Sequence, residues 1–141
     1  MLNEEIIQAR VAEILSEKGF NVVASETKEG FKKPAVFINV YPATVRREGP
    51  CMEHVADTVE IKYIPKLETV EHCAAAAQEI RNTFMYIPFE VQERKLTIQE
   101  MEFDVEDKAL YVYFNLDYYQ EIPTEDDDYE EIESLEIGGN I

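Results

Sequence analysis

Gly30–Tyr41, reading GFKKPAVFINVY, constrains the fold of this chain more than any other stretch. Pro34 fixes where the extended segment begins, and five of the six residues from Ala35 to Val40 are apolar. On a strand, Val36, Ile38 and Val40 share one side, while Ala35, Phe37 and Tyr41 share the other. Both sides are largely apolar, the pattern of a central strand covered on two faces. A chain of 141 residues with 45% hydrophobic content suits one domain with one core and requires no metal or disulfide staple.

Around that stretch the pattern predicts the following elements. Leu2–Lys18 reads as an amphipathic helix with Leu2, Ile6, Val11, Ile14 and Leu15 on its stripe, Ile7 at the edge, and Gly19 closing it. Asn21–Ser25 reads as a short strand, and 26–33 as a polar loop interrupted by Phe31. The central strand runs over about Ala35–Val45. Its partner covers about His54–Ile64, with Val55, Val59, Ile61 and Tyr63 on one face and Thr58, Glu60 and Lys62 on the other. The tip between them falls around Arg46–Met52, where Gly49-Pro50 marks a turn.

A second helix is predicted over Thr69–Met85, capped by Thr69, with Val70, Cys73, Ala77, Ile80 and Phe84 as its buried stripe. The small residues Ala74–Ala77 suit close packing against a sheet or another subunit. Val91–Val105 reads as a strand with a bulge near Gln99–Glu100, because the apolar parity flips between Ile98 and Met101. A tight turn at Glu106-Asp107-Lys108 leads into Ala109–Tyr119. There Leu110, Val112, Phe114, Leu116 and Tyr118 alternate with Tyr111, Tyr113, Asn115, Asp117 and Tyr119. The tyrosine-rich side suits either a partner surface or cross-strand aromatic packing. The order implies an α+β single domain: a mainly antiparallel sheet, two helices on one face, and an acidic C-terminal tail. The division expected is 1–122 for the domain and 123–141 for the extension. Thr124 and Asp127 in that extension have capping-box-like spacing, with Ile132 and Leu135 on one side of a short helix.

The formal net charge is -17, and 121–141 holds nine acids with no Lys or Arg. Such a balance disfavours non-specific binding to nucleic acid or anionic lipid. Neither a membrane span nor a signal peptide is legible, so the expected place of synthesis is the cytoplasm. Cys51 and Cys73, with His54 and His72, lack zinc-ligand spacing and read as free thiols and ordinary histidines. No phosphate-binding glycine loop, nucleophile elbow or triad stands out, and no cofactor is implied. One chemical alternative is a metal-dependent phosphodiester hydrolase built on Asp57, Glu60 and Lys62. A second carboxylate row is Glu100, Glu102 and Asp104. In a chain with 30 acids both sets are better read as the solvated face of an amphipathic strand, since no other catalytic partner accompanies them. The bases Lys32-Lys33 and Arg46-Arg47 flank the central strand and suit a local contact with an acidic partner.

The segment E-G-F-x-x-P-A-x-F-I at Glu29–Ile38, the later VEIKYIP, the helix after it and the closing ALYVYFNLDY resemble the tail terminator (tail completion) proteins of long-tailed phages and prophages. The resemblance spans about Met1–Ile122. It implies a non-enzymatic virion protein that assembles in the host cytoplasm and forms a ring, typically of six copies. The ring caps the tail tube, ends its polymerisation and offers a surface for joining to the head. Implied partners are other copies of itself, the tail tube protein and a head-completion or connector protein. A head–tail connector component is the neighbouring alternative. Phe31, Lys32, Lys33, Arg46, Arg47, Tyr111 and Tyr113 are the expected subunit or tube contacts, with a sheet edge or the tyrosine face of one copy meeting the helix and Phe31 loop of the next. The Arg46–Met52 tip is the expected tube contact.

Overall fold

The structure, a computed structural model, describes residues 1–23 and 30–123. Helix α1 spans Glu4–Glu17. Asn3 caps it, its side-chain oxygen accepting from the Ile6 amide at 2.9 Å, and Glu4 and Glu5 lie at the positive end of the helix dipole. The helix ends in a Schellman turn. The Phe20 amide donates to the Leu15 carbonyl and the Gly19 amide to that of Ser16, with Gly19 at φ +97°. Ile7, Val11 and Leu15 form its buried row, and Leu2 joins them from before the cap. Ile7 is thus the centre of the stripe, while Ile6 and Ile14 flank it half-buried.

Strands β1 (Ala35–Glu48) and β2 (Met52–Ile64) form a long antiparallel hairpin closed by Gly49-Pro50-Cys51. The register slips between Pro42 and Thr44, leaving Ala43 as an extra residue in β1. Helix α2 (Val70–Phe84) begins at Thr69, whose hydroxyl accepts from the His72 amide. Its buried residues are Cys73, Ala76, Ile80 and Phe84; Val70, expected on the stripe, is exposed, and Ala77 is half-buried. The three- and four-residue spacing fixes a face only to within a residue, and packing selects Ala76 as the close-approach position.

The predicted bulged strand over Val91–Val105 resolves into three strands. β3 (Phe89–Val91) and β4 (Arg94–Leu96) make a separate small hairpin, and β5 (Met101–Glu106) joins the main sheet. Gln92 and Glu93, at φ 51° and 64°, make the two-residue turn that splits them. The parity change between Ile98 and Met101 marks the non-strand link between these units. β6 (Ala109–Glu121) follows the second such turn, at Asp107 and Lys108.

The main sheet has the order β1-β2-β6-β5, antiparallel throughout. β1 is therefore an edge strand, not the central one its apolar sequence predicts. Only Ala35–Ile38 is buried on both sides, since a parallel bridge from Val22 guards that part of the edge and Phe31 covers Phe37. The central strands are β2 and β6. Both helices lie on one face, where Leu110, Val112, Phe114, Leu116 and Tyr118 meet Val55, Val59 and Ile61 in a continuous core. The other face has no helix on it among the described residues. No helix among them is long and apolar enough to cross a membrane. Ala24 and Ser25 of the expected first strand, and the expected helix after Thr124, lie outside the described residues.

Candidate functional site

The open face of the sheet is built from alternate residues of its central strands. Glu60 lies opposite Tyr113 and Lys62 opposite Tyr111. The Lys62 ammonium stands 5.5 Å from the centre of the Tyr111 ring. Thr58 donates to Asn115 at 2.9 Å, and Asn39 to Glu60 at 3.4 Å. Tyr111 and Tyr113 are half-buried by these neighbours. Burial, then the Glu60 carboxylate, pushes the Tyr113 phenol above its ordinary range. The face thus combines cross-strand packing with an exposed aromatic and polar surface. At its lower side Thr58, Gln99, Glu100, Glu102, Asn115 and Asp117 line a recess of about 430 Å³.

The basic residues are not brought together. Lys33 pairs with Glu68 at 3.0 Å near the start of β1, and this contact pulls the Glu68 carboxyl below its usual range. Phe31 meets Phe37 edge-to-face at 5.2 Å in the same region, and the Lys32 carbonyl accepts from Asn21. Arg46 and Arg47 lie at the far end of the strand. There Arg46 pairs with Glu48 at 2.9 Å, and Arg47 donates to the Pro50 carbonyl. The length of β1 separates the two pairs, so they form two surfaces.

The alternative carboxylate set does not assemble. Asp57 points into the core and is 0% exposed, whereas Glu60 and Lys62 point to the opposite face. A strand's two-residue period forbids residues 57 and 60 from sharing a side. Burial, followed by the Glu4 carboxyl at the start of α1, raises Asp57 to about 7; a hydrogen bond from Tyr118 pulls the other way. Glu102 and Asp104 share the open side of β5, but Glu100 lies before the strand. Among the described residues no group of His, Cys, Asp or Glu is placed to hold a metal ion. Cys51 is exposed and Cys73 buried, and both thiols are free.

Two exposed apolar features escape the sequence. Phe103 and Val105 sit opposite Val112 and Leu110, hence on the helix-covered side, yet are 38% and 42% exposed because β5 lies at the sheet's rim. At the other rim, Val45 is 56% exposed. The alternation in MEFDVE signals one apolar side, but only the strand order reveals that this side lies at an edge.

A family profile described as "Phage tail terminator protein" matches residues 5–128. Among solved structures, a chain described as "Virion of native gene transfer agent (GTA) particle" superposes with a TM-score of 0.52. It is 10% identical, with 84% of this chain and 94% of that chain covered, and it shows likeness of fold. Another solved chain, 15% identical over 88% of this chain and 99% of its own, has a TM-score of 0.46 and carries no argument. No curated protein matches the chain.

Proposed function

The chain belongs to the phage tail terminator family, a family of structural tail proteins, and on that premise we propose that it forms a ring, of six copies, that caps the tail tube. In this reading the ring ends tube polymerisation at the head-proximal end and presents the surface to which the head joins. Partners are other copies of itself, the tail tube protein and a head-completion or connector protein, met in the host cytoplasm during assembly. Residues 1–122 form the terminator domain and 123–141 an acidic extension.

The observation that carries this reading is the sheet's pair of different open edges, joined by a face that no described helix covers. A closed ring needs two unlike surfaces on each copy that meet head to tail. Tyr111 and Tyr113 on the open face, and Phe31, Lys32 and Lys33 at the start of β1, supply one group of contacts. Arg46 and Arg47 supply another at the far end, where the Arg46–Met52 tip meets the tube.

The test is the solution mass by light scattering, with and without isolated tail tubes, followed by electron microscopy of the tube ends. A discrete mass near six copies, or rings on tube ends when tubes are added, is the expected result. A monomer that leaves tubes uncapped, and gains thermal stability with magnesium or manganese, overturns the reading.

A further inference from the structure

We propose that the joint between copies is a strand-to-strand contact: the open edge of β5 in one copy pairs antiparallel with Thr44–Glu48 of β1 in the next. The proposal rests on the ring reading and specifies how the ring is held.

Both stretches lie at ends of the four-stranded sheet, and no described strand pairs with either. Their backbone donors and acceptors on that side face outward, a template for another strand. β5 reads MEFDVE and carries no lysine or proline to blunt it. Met101, Phe103 and Val105 point to the helix side, and Glu102, Asp104 and Glu106 to the open side. In β1 beyond the bulge, Val45 and Arg47 point to the helix side, and Thr44, Arg46 and Glu48 to the open side.

The two edges complement each other. With Val45 opposite Val105, Arg46 falls opposite Asp104, so an apolar pair forms on one face and an ion pair on the other. The Arg46–Glu48 contact within the strand is exposed and weak, and it exchanges readily for an intersubunit partner. Phe103 and Val105 gain cover from the incoming Val45. Like-with-like joints fare worse: two β5 edges would oppose acids to acids, and two β1 edges arginines to arginines.

Direction and offset agree as well. Three antiparallel steps separate β1 from β5, so the strands run oppositely, and a head-to-tail neighbour presents the antiparallel sense with its helices on the same side. β5 lies level with Ala35–Val40, whereas the open part of β1 is at the other end of the sheet. Joining them shifts each copy by roughly eight residues, or about 26 Å, along the strand direction. A sheet closes on itself only with such a stagger, whereas an unshifted joint would build a flat ribbon.

Cysteine cross-linking tests this with tail tubes present and Cys51→Ser removing the exposed native thiol. Val45→Cys and Val105→Cys sit at exposed positions, so both variants keep the fold, checked by thermal melting. Phe103→Cys covers a two-residue slip of register. Mixing the two types of single-cysteine chain and oxidising them is expected to give 45–105 or 45–103 linked dimers as the dominant product. The double variant is expected to give a ladder ending at a closed ring. Self-linked dimers of one type alone indicate a two-fold joint and overturn the proposal. A discrete oligomer by light scattering without any of these links overturns the strand joint and leaves the ring standing. A chain that stays monomeric and unlinked beside tail tubes overturns both.

Discussion

The Tyr118 phenol donates a 2.8 Å hydrogen bond to Asp57 Oδ2 inside the core, while Oδ1 of the same carboxyl has no partner among the described residues. The two residues come from neighbouring strands in a near-diagonal register, Asp57 being opposite Leu116 and Val55 opposite Tyr118. Burial and Asp57 together push the Tyr118 phenol upward, so it remains a donor at any physiological pH.

Stability is expected to fall as pH rises through this group. Asp57 has a folded-state value of about 7 against an ordinary 3.8, so the folded chain holds a proton that the unfolded chain has released. The proton also relieves the conflict with Glu4, while Arg94, 5.7 Å from the Tyr118 ring centre, is the nearby positive charge. The benefit is complete below about pH 4 and is lost as pH rises to about 7. Asp57→Asn keeps an acceptor for Tyr118 and removes the charge. Urea unfolding at pH 8 should find it about 1–3 kcal/mol more stable than the parent, with the gap closing at pH 4.

Phe84→Ala should cost about 3–5 kcal/mol. The ring is 2% exposed and lies between Phe114, at 5.3 Å, and Phe89, at 6.4 Å. It ties α2 to both the main sheet and the small hairpin. A drop of less than about 1 kcal/mol in urea unfolding would contradict that placement.

Two substitutions in α2 separate its true buried row from the one its spacing suggests. Val70→Ala should change stability by less than about 0.5 kcal/mol, because the side chain is 67% exposed. Ala76→Leu should destabilise by about 1–3 kcal/mol by overpacking a position that is 5% exposed. Equal effects at the two sites would restore the stripe read from the sequence.

Replacing Asp107-Lys108 by Asn-Gly should stabilise the β5–β6 hairpin by about 0.5–1 kcal/mol. Both residues hold positive φ, 54° and 64°, in a two-residue turn, and Lys108 is poorly suited to it. A rise in thermal midpoint without change in oligomer mass is the expected readout.

Where the sequence is periodic and locally capped, it describes this fold well. Thr69 and Met85 bound α2 on both readings, and the alternation from Leu110 to Tyr118 names the buried side of β6 without error. β1 shows the limit. Its apolar start comes from Phe31 and Val22 covering a short part of an edge, and neither contact leaves a periodic trace. The sidedness of Asp57 is legible in the sequence, since Val55 and Val59 lie two residues away on either side, and that alternation already separates it from Glu60 and Lys62. The surfaces were the least legible. Tyr111 and Tyr113 stand out by composition, but Val105 and Val45 become contacts only once strand order places them at opposite rims.

The central pairing of β2 with β6 sets when the domain can come into being during synthesis. Thr58 and Asn115, bonded across that pair, are 57 residues apart in sequence. Until Ala109–Glu121 has left the ribosome, β2 has one bare flank and α2 has no Phe114 to rest on. A nascent chain stopped at Lys108 therefore lacks Leu110, Val112, Phe114, Leu116 and Tyr118, the row that completes the core under both helices. Such distant contacts make folding slow to begin and all-or-none once begun. A copy that forms in this way reaches the assembly pool either whole or not at all, which keeps half-made edges out of a growing structure.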